Sequence, residues 1–198
     1  MTPRSARTTR RALLTLGALA TVELWVRQGA SQTVEVPVRL QAELLAKVAA
    51  YDRGFVARAR GRALAFVVVK PGDAESERVG EQILSELRVL PQIGGLPHTE
   101  ELVRYSSPQA LAELCKARGP AVLYFSLRLG DQMGPVAAAL DGTSVLSVAV
   151  TAPYVPSGAV LGFDADSGKP RLVVNLTQAR RQLVAFKPEL LRLAKVIQ

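Results

Sequence analysis

The 198-residue chain contains one cysteine, one histidine and one tryptophan, and each scarcity excludes something. Cys115 has no second cysteine to pair with, so no disulfide can form within the chain. His98 and Cys115 together fall short of the ligand count a zinc site needs, and no metal is expected. Aromatic residues are 5% of the chain, too few for a platform that stacks single-stranded nucleic acid. No Gly-x-Gly-x-x-Gly follows a strand pattern, and Gly168-Lys169 runs into Pro170, so the phosphate-cradling loops are missing and no cofactor is expected. Asp164 to Gly168 suggests a calcium loop at first sight. Its glycine is misplaced and position twelve is Asn175, so the segment reads as a hairpin turn.

A long apolar run is also missing. The longest, Ala12 to Val22, has 11 residues, well short of the roughly 20 that span a bilayer. Arg4, Arg7, Arg10 and Arg11 precede it, and Gly29, Ala30 and Ser31 follow as a cleavage point. Residues 1–31 thus read as an export signal, with Thr9-Arg10-Arg11-Ala12-Leu13-Leu14 admitting the twin-arginine route beside the Sec route. An uncleaved anchor is the third option. The segment carries five Arg and one Glu, so the formal charge of +8 falls to +4 for residues 32–198. The high isoelectric point therefore points to export and not to nucleic acid. Residues 32–198 are expected to form one periplasmic domain.

What is present alternates between two periods. Val38–Tyr51 reads as an amphipathic helix, and Ala63–Val69 as a strand covered on both faces. A helix follows over 74–90, then a strand at 102–105, a helix over 108–118 and a strand over 121–126. A short helix over 134–140 and a strand over 144–150 complete the series. Strand–helix alternation of this kind demands crossover connections. The expected fold is α/β: a three-layer sandwich with a mostly parallel sheet flanked by helices, and a C-terminal antiparallel hairpin over Val160–Asn175.

The last 41 residues carry the most information. Asp164–Lys169 supplies a tight reversal, Asn175 a helix cap with Gln178 placed to return the bond, and Pro188 opens a terminal helix carrying Leu190, Leu191, Leu193, Val196 and Ile197. The order Gly158, Leu161, Phe163, then Arg171, Asn175, Ala179, Arg180, then Leu190, Leu191, Leu193, Ala194 resembles the C-terminal signature of the YfiR-like family of bacterial periplasmic regulators. That resemblance implies a non-catalytic protein that binds and restrains an inner-membrane sensor, typically a diguanylate cyclase. Tyr51-Asp52-Arg53-Gly54-Phe55 stands where many relatives have an aromatic–Pro pair, so a histidine kinase is a second candidate partner. Homodimerisation would compete for the same surfaces.

Candidate residues follow from these readings. Tyr154 and Val155, in a Pro-bounded loop, and Arg58 and Arg60, in an Arg cluster between the first helix and first strand, are the partner-binding candidates. Ser126, Arg128 and Thr151 follow strand ends, where open α/β sheets bind ligands, and serve the alternative of a small-molecule binding module. Catalysis finds little support. Cys115 reads as a buried thiol and His98 as a loop histidine bonded to backbone. Glu100 and Glu101 are adjacent, hence on opposite faces of a strand.

Overall fold

The computed structural model describes residues 35–198, and the basic and apolar leader discussed above lies outside the described residues. Two helices, α1 (Val38–Ala49) and α2 (Phe55–Ala59), precede the first strand, β1 (Ala63–Val69). Then come α3 (Ala74–Arg88), β2 (His98–Arg104), α4 (Pro108–Arg118), β3 (Val122–Phe125), α5 (Met133–Ala139) and β4 (Leu146–Ala149). The C-terminal part holds β5 (Leu161–Asp166), β6 (Lys169–Asn175), α6 (Leu176–Arg181), α7 (Pro188–Leu191) and β7 (Ala194–Ile197). One seven-stranded sheet runs in the order β2-β1-β3-β4-β5-β6-β7. Every pairing is parallel except the β5–β6 hairpin. Among the described residues no helix is long and apolar enough to cross a membrane.

The strand period of two divides the core into two layers. Ala65 and Val67 of β1, Val122 and Tyr124 of β3, and Leu146 and Val148 of β4 face the side covered by α1 and α3. Phe66, Val68, Leu123, Phe125 and Ala149 face the side covered by α4 and α5. This gives the three-layer sandwich expected from the alternation, and it explains why the central strands are almost wholly apolar, with the buried Ser147 of β4 accepting the Val160 N–H. Helix α3 lies so close to β1 that a Cβ on Gly80 would sit 2.1 Å from Val69 Cγ1.

Local chemistry fixes the element ends. Asp73 caps α3 by accepting the Ser76 N–H at 2.9 Å, with Glu75 and Glu77 in the first turn where the helix dipole favours them. Ser107 caps α4 in the same way through Ala110, and Pro108 takes the first helical position. The β5–β6 reversal uses Ser167 (φ 51°) and Gly168 (φ 76°), two positive φ values in succession as a two-residue hairpin loop requires. A buried amide ties α1 to the sheet: Gln41 donates to Val36 O and Val150 O and accepts from the Tyr124 hydroxyl at 2.6 Å.

Three expectations change. Phe55–Ala59 is a helix where an irregular connection was expected. The terminal helix stops at Leu191, and Ala194–Ile197 instead adds β7 to the free edge of β6. A four-residue helix gains few hydrogen bonds for the order it imposes, whereas the strand completes a ladder. Asn175 does cap α6, accepting the Gln178 N–H at 2.9 Å. Gln178 does not return the bond, because the Asn175 N–H donates to Val160 O and the Gln178 side chain donates to Ala137 O.

Asn175 also donates through Nδ2 to Val155 O at 3.0 Å, so it joins β6, α6 and the loop before β5. Asn175→Ala is expected to lower the unfolding free energy by about 2 kcal/mol, a cap and one further bond. A urea titration showing a loss below about 0.5 kcal/mol would mean that water replaces both bonds.

Candidate functional site

Polar side chains collect at the two opposite ends of the sheet. At the carboxyl ends of β1 and β3, Lys70, Tyr105, Arg128, Asp131 and Gln132 line a crevice of about 320 Å³. Tyr105 donates to Gln132 at 3.0 Å, and burial raises the Tyr105 pKa. Of the three residues expected here, only Arg128 reaches the crevice, where it pairs with Glu75 on the first turn of α3. Ser126 is fully buried and donates to Ser76 O at 2.7 Å, which fastens α3 to the end of β3. Thr151 is buried and begins the 3₁₀ turn Ala152–Tyr154.

Burial takes three of the four partner-binding candidates, Tyr154, Val155 and Arg58, off the surface. Tyr154 is 1% exposed and its hydroxyl accepts the Leu129 N–H at 2.9 Å; burial pushes its pKa up to about 12. Val155 is fully buried, against the position a Cβ on Gly162 would claim. Neither residue belongs to the surface. The Pro-bounded loop is a plug that folds onto the α4–α5 side of the core. Arg60 is exposed, with a left-handed backbone at the end of α2.

Arg58 has turned inward. Its side chain is 3% exposed and pairs with Asp52, whose own side chain is fully covered. It also donates through Nη1 to Ser144 Oγ at 3.3 Å and lies 5.8 Å from the Phe55 ring centre. Burial lowers its pKa to about 10, which leaves it charged at neutral pH, and the Asp52 carboxylate favours that charged form. Asp52 Oδ1 accepts from the N–H groups of Gly54 and Ala185 at 3.0 and 3.2 Å. A cleft of about 570 Å³ opens beside this pair, at the end of the sheet where β1, β3 and β4 begin. Arg58, Arg60, Lys116, Asp141, Thr143 and Ser144 contribute its polar wall.

Cys115 also borders that cleft, yet it is 5% exposed and burial pushes its thiol up to about 12. A thiol so far from ionisation is a poor nucleophile at neutral pH. His98 spends its ring on Leu90 O, 2.9 Å from Nε2, and on Glu100. The buried-thiol reading of Cys115 holds, and His98 bonds to backbone as expected, although from the first position of β2. Among the described residues no group of three or more His, Cys, Asp or Glu is arranged to hold a metal ion.

The family comparison defines the class, that of generally non-catalytic periplasmic regulators. The chain belongs to the YfiR/HmsC-like family, whose model matches residues 39–195. No curated protein matches in sequence. Among solved structures, a conserved domain protein of Vibrio cholerae O1 biovar El Tor is similar with a TM-score of 0.58 at 15% identity, over 82% of this chain and 60% of that one. The ABC domain in complex with L-Trp from Streptococcus pneumoniae is similar with a TM-score of 0.58 at 11% identity, over 81% and 62%. The chain thus spans about three fifths of each, and at these identities the likeness concerns the fold.

Arg58→Ala is expected to cost about 3–5 kcal/mol, because it strands the buried Asp52 charge. Thermal melting checks this, and Asp52→Asn with Arg58→Met together should cost less than the single change. In the native protein Cys115 should react with a maleimide at a small fraction of the unfolded chain's rate up to pH 9. Equal rates would mean that the thiol is not covered.

Proposed function

We propose that this protein is a periplasmic regulator that binds and restrains an inner-membrane signalling partner, such as a diguanylate cyclase or a histidine kinase. Membership of the YfiR/HmsC-like family is the observation that carries the reading. Restraint of this kind works by binding the inactive form of the partner better than the active one. Turning a balance from 1:99 to 99:1 takes about 5.5 kcal/mol of differential affinity, more than a few polar contacts supply. An apolar surface is therefore required.

With Tyr154 and Val155 in the core, the terminal segment is the best remaining place. Leu193 is 74% exposed and Val196 is 37% exposed, on either side of the start of β7. Among the described residues β7 ends the sheet, and its outer backbone groups face no other strand there. The opposite edge, β2, carries Glu100, Glu101 and Arg104, charges that discourage pairing. A partner segment added along β7 would gain main-chain bonds together with apolar contact. Leu193→Asp should leave thermal melting within about 1 °C of wild type, since the side chain is already in solvent. It should abolish co-purification with inner-membrane proteins. Undiminished co-purification removes β7 from the interface.

The small-molecule alternative rests on the strand-end crevice at Arg128 and Tyr105, and on the Streptococcus structure's complex with L-Trp. Ligand at 100 times its dissociation constant would stabilise by about 2.7 kcal/mol. Absence of any melting shift across the amino acids would dispose of this reading.

A further inference from the structure

Among the described residues, three buried side-chain atoms have no hydrogen-bond partner, and they belong to two residues. They are Nε of Arg58 and both amide atoms of Gln182. Elsewhere the buried polar groups are satisfied with care, as at Gln41, Tyr124 and Ser126. An unmade bond on a buried polar group costs about 1–3 kcal/mol, so its presence at one spot marks a place where an occupant gains by supplying it. Arg58 forms part of the wall of the 570 Å³ cleft, a size in the range of small-molecule sites. Gln182 adjoins the same wall: its carbonyl accepts the Val145 N–H at 3.4 Å, and Val145 lines the cleft.

We propose that this cleft binds a small molecule through an oxyanion group, a phosphate or a carboxylate. Arg58 is the anchor and Arg60 and Lys116 hold the mouth. Three basic side chains line it against one carboxylate, Asp141. Basic residues near helix C-termini are ordinary complements to the helix dipole, and that accounts for Lys116 in the last turn of α4 and Arg60 at the end of α2. Arg58 also stands in the last turn of α2, but its side chain is buried and its bonds go to Asp52 and Ser144. With Arg58 paired to Asp52, Arg60 and Lys116 stand against Asp141 and the ends of α2 and α4, about half a negative charge each, so the cleft offers an oxyanion hydrogen-bond donors and not a net positive field. Asp52 neutralises Arg58 but occupies Nη2, leaving Nε for a second acceptor. Ser144, exposed on the wall, accepts from Arg58 and can donate its own O–H to the same group. Nε is covered, so binding entails a small outward movement of the guanidinium. The site lies at the opposite end of the sheet from the Arg128 crevice and does not depend on the partner reading.

The test follows the arginine Nε–Hε signals of the ¹⁵N-labelled protein during titration with sodium phosphate and, separately, with sodium malonate. Sodium chloride at matched ionic strength is the reference. A saturable shift of the Arg58 signal, together with a rise in melting temperature, is the expected result in at least one arm, and the arm that responds identifies the group. Arg60→Gln with Lys116→Gln, both exposed in the native protein, should melt as wild type and weaken binding about tenfold or more. The proposal is overturned if neither anion moves the Arg58 signal beyond chloride, or if the double variant binds as tightly as wild type.

Discussion

The Asp52 carboxylate holds together parts of the chain that sequence keeps far apart. It receives Arg58 on one oxygen, and on the other the amides of Gly54 and of Ala185, 133 positions away. A buried carboxylate without such partners would cost several kcal/mol, so the surrounding backbone has little freedom. Asp52 also forms an antiparallel bridge with Phe186, while Arg53 N–H donates to Ala185 O and Lys187 N–H donates to Tyr51 O. The turn after α1, the short α2 and the segment leading into α7 are therefore one unit. The position of β7, and with it the open edge of the sheet, follows from that unit.

Much of the layout was legible because period and composition agreed. Runs such as Ala63–Val69 alternate between the two core layers, and caps at Asp73, Ser107 and Asn175 set helix starts where residue type predicted them. The failures share a cause. In Leu190 to Ile197 the apolar spacing suits a helix or a strand, and the free edge of β6 made the choice. Residues 55–59 are too few to show a helical period, and α2 exists because Phe55 and Arg58 are drawn into the core beside Asp52.

The site was less legible, because exposure is a tertiary property. Tyr154 between Pro153 and Pro156 has the composition of a surface loop, yet its ring fills the α4–α5 layer and its hydroxyl meets Leu129. An arginine cluster reads as a solvated connection until one member finds a buried carboxylate. The only forewarning of Arg58 was Asp52, six positions earlier in an otherwise basic stretch. Ser126 and Thr151 stand at strand ends as topology required, but both are buried, Ser126 bonded to Ser76 O of α3 and Thr151 at the start of the 3₁₀ turn.

The same unit joins the wall of the Arg58 cleft to the segment that leads into α7 and β7. An occupant that draws the guanidinium outward changes the bond Arg58 makes to Asp52, and Asp52 carries the Ala185 amide on its other oxygen. From Ala185 the chain passes through α7, with Leu190 in the core, directly to Leu193 and β7. Coupling between two such sites is reciprocal: whatever factor a cleft ligand applies to partner affinity, the partner applies to the ligand. A factor of ten is worth about 1.4 kcal/mol, within what one rearranged, charge-assisted hydrogen bond supplies. An Arg58 whose Nε already lacks a partner starts closer to that rearrangement than a fully satisfied pair would, because the bond it gains outward offsets part of the one it loosens toward Asp52.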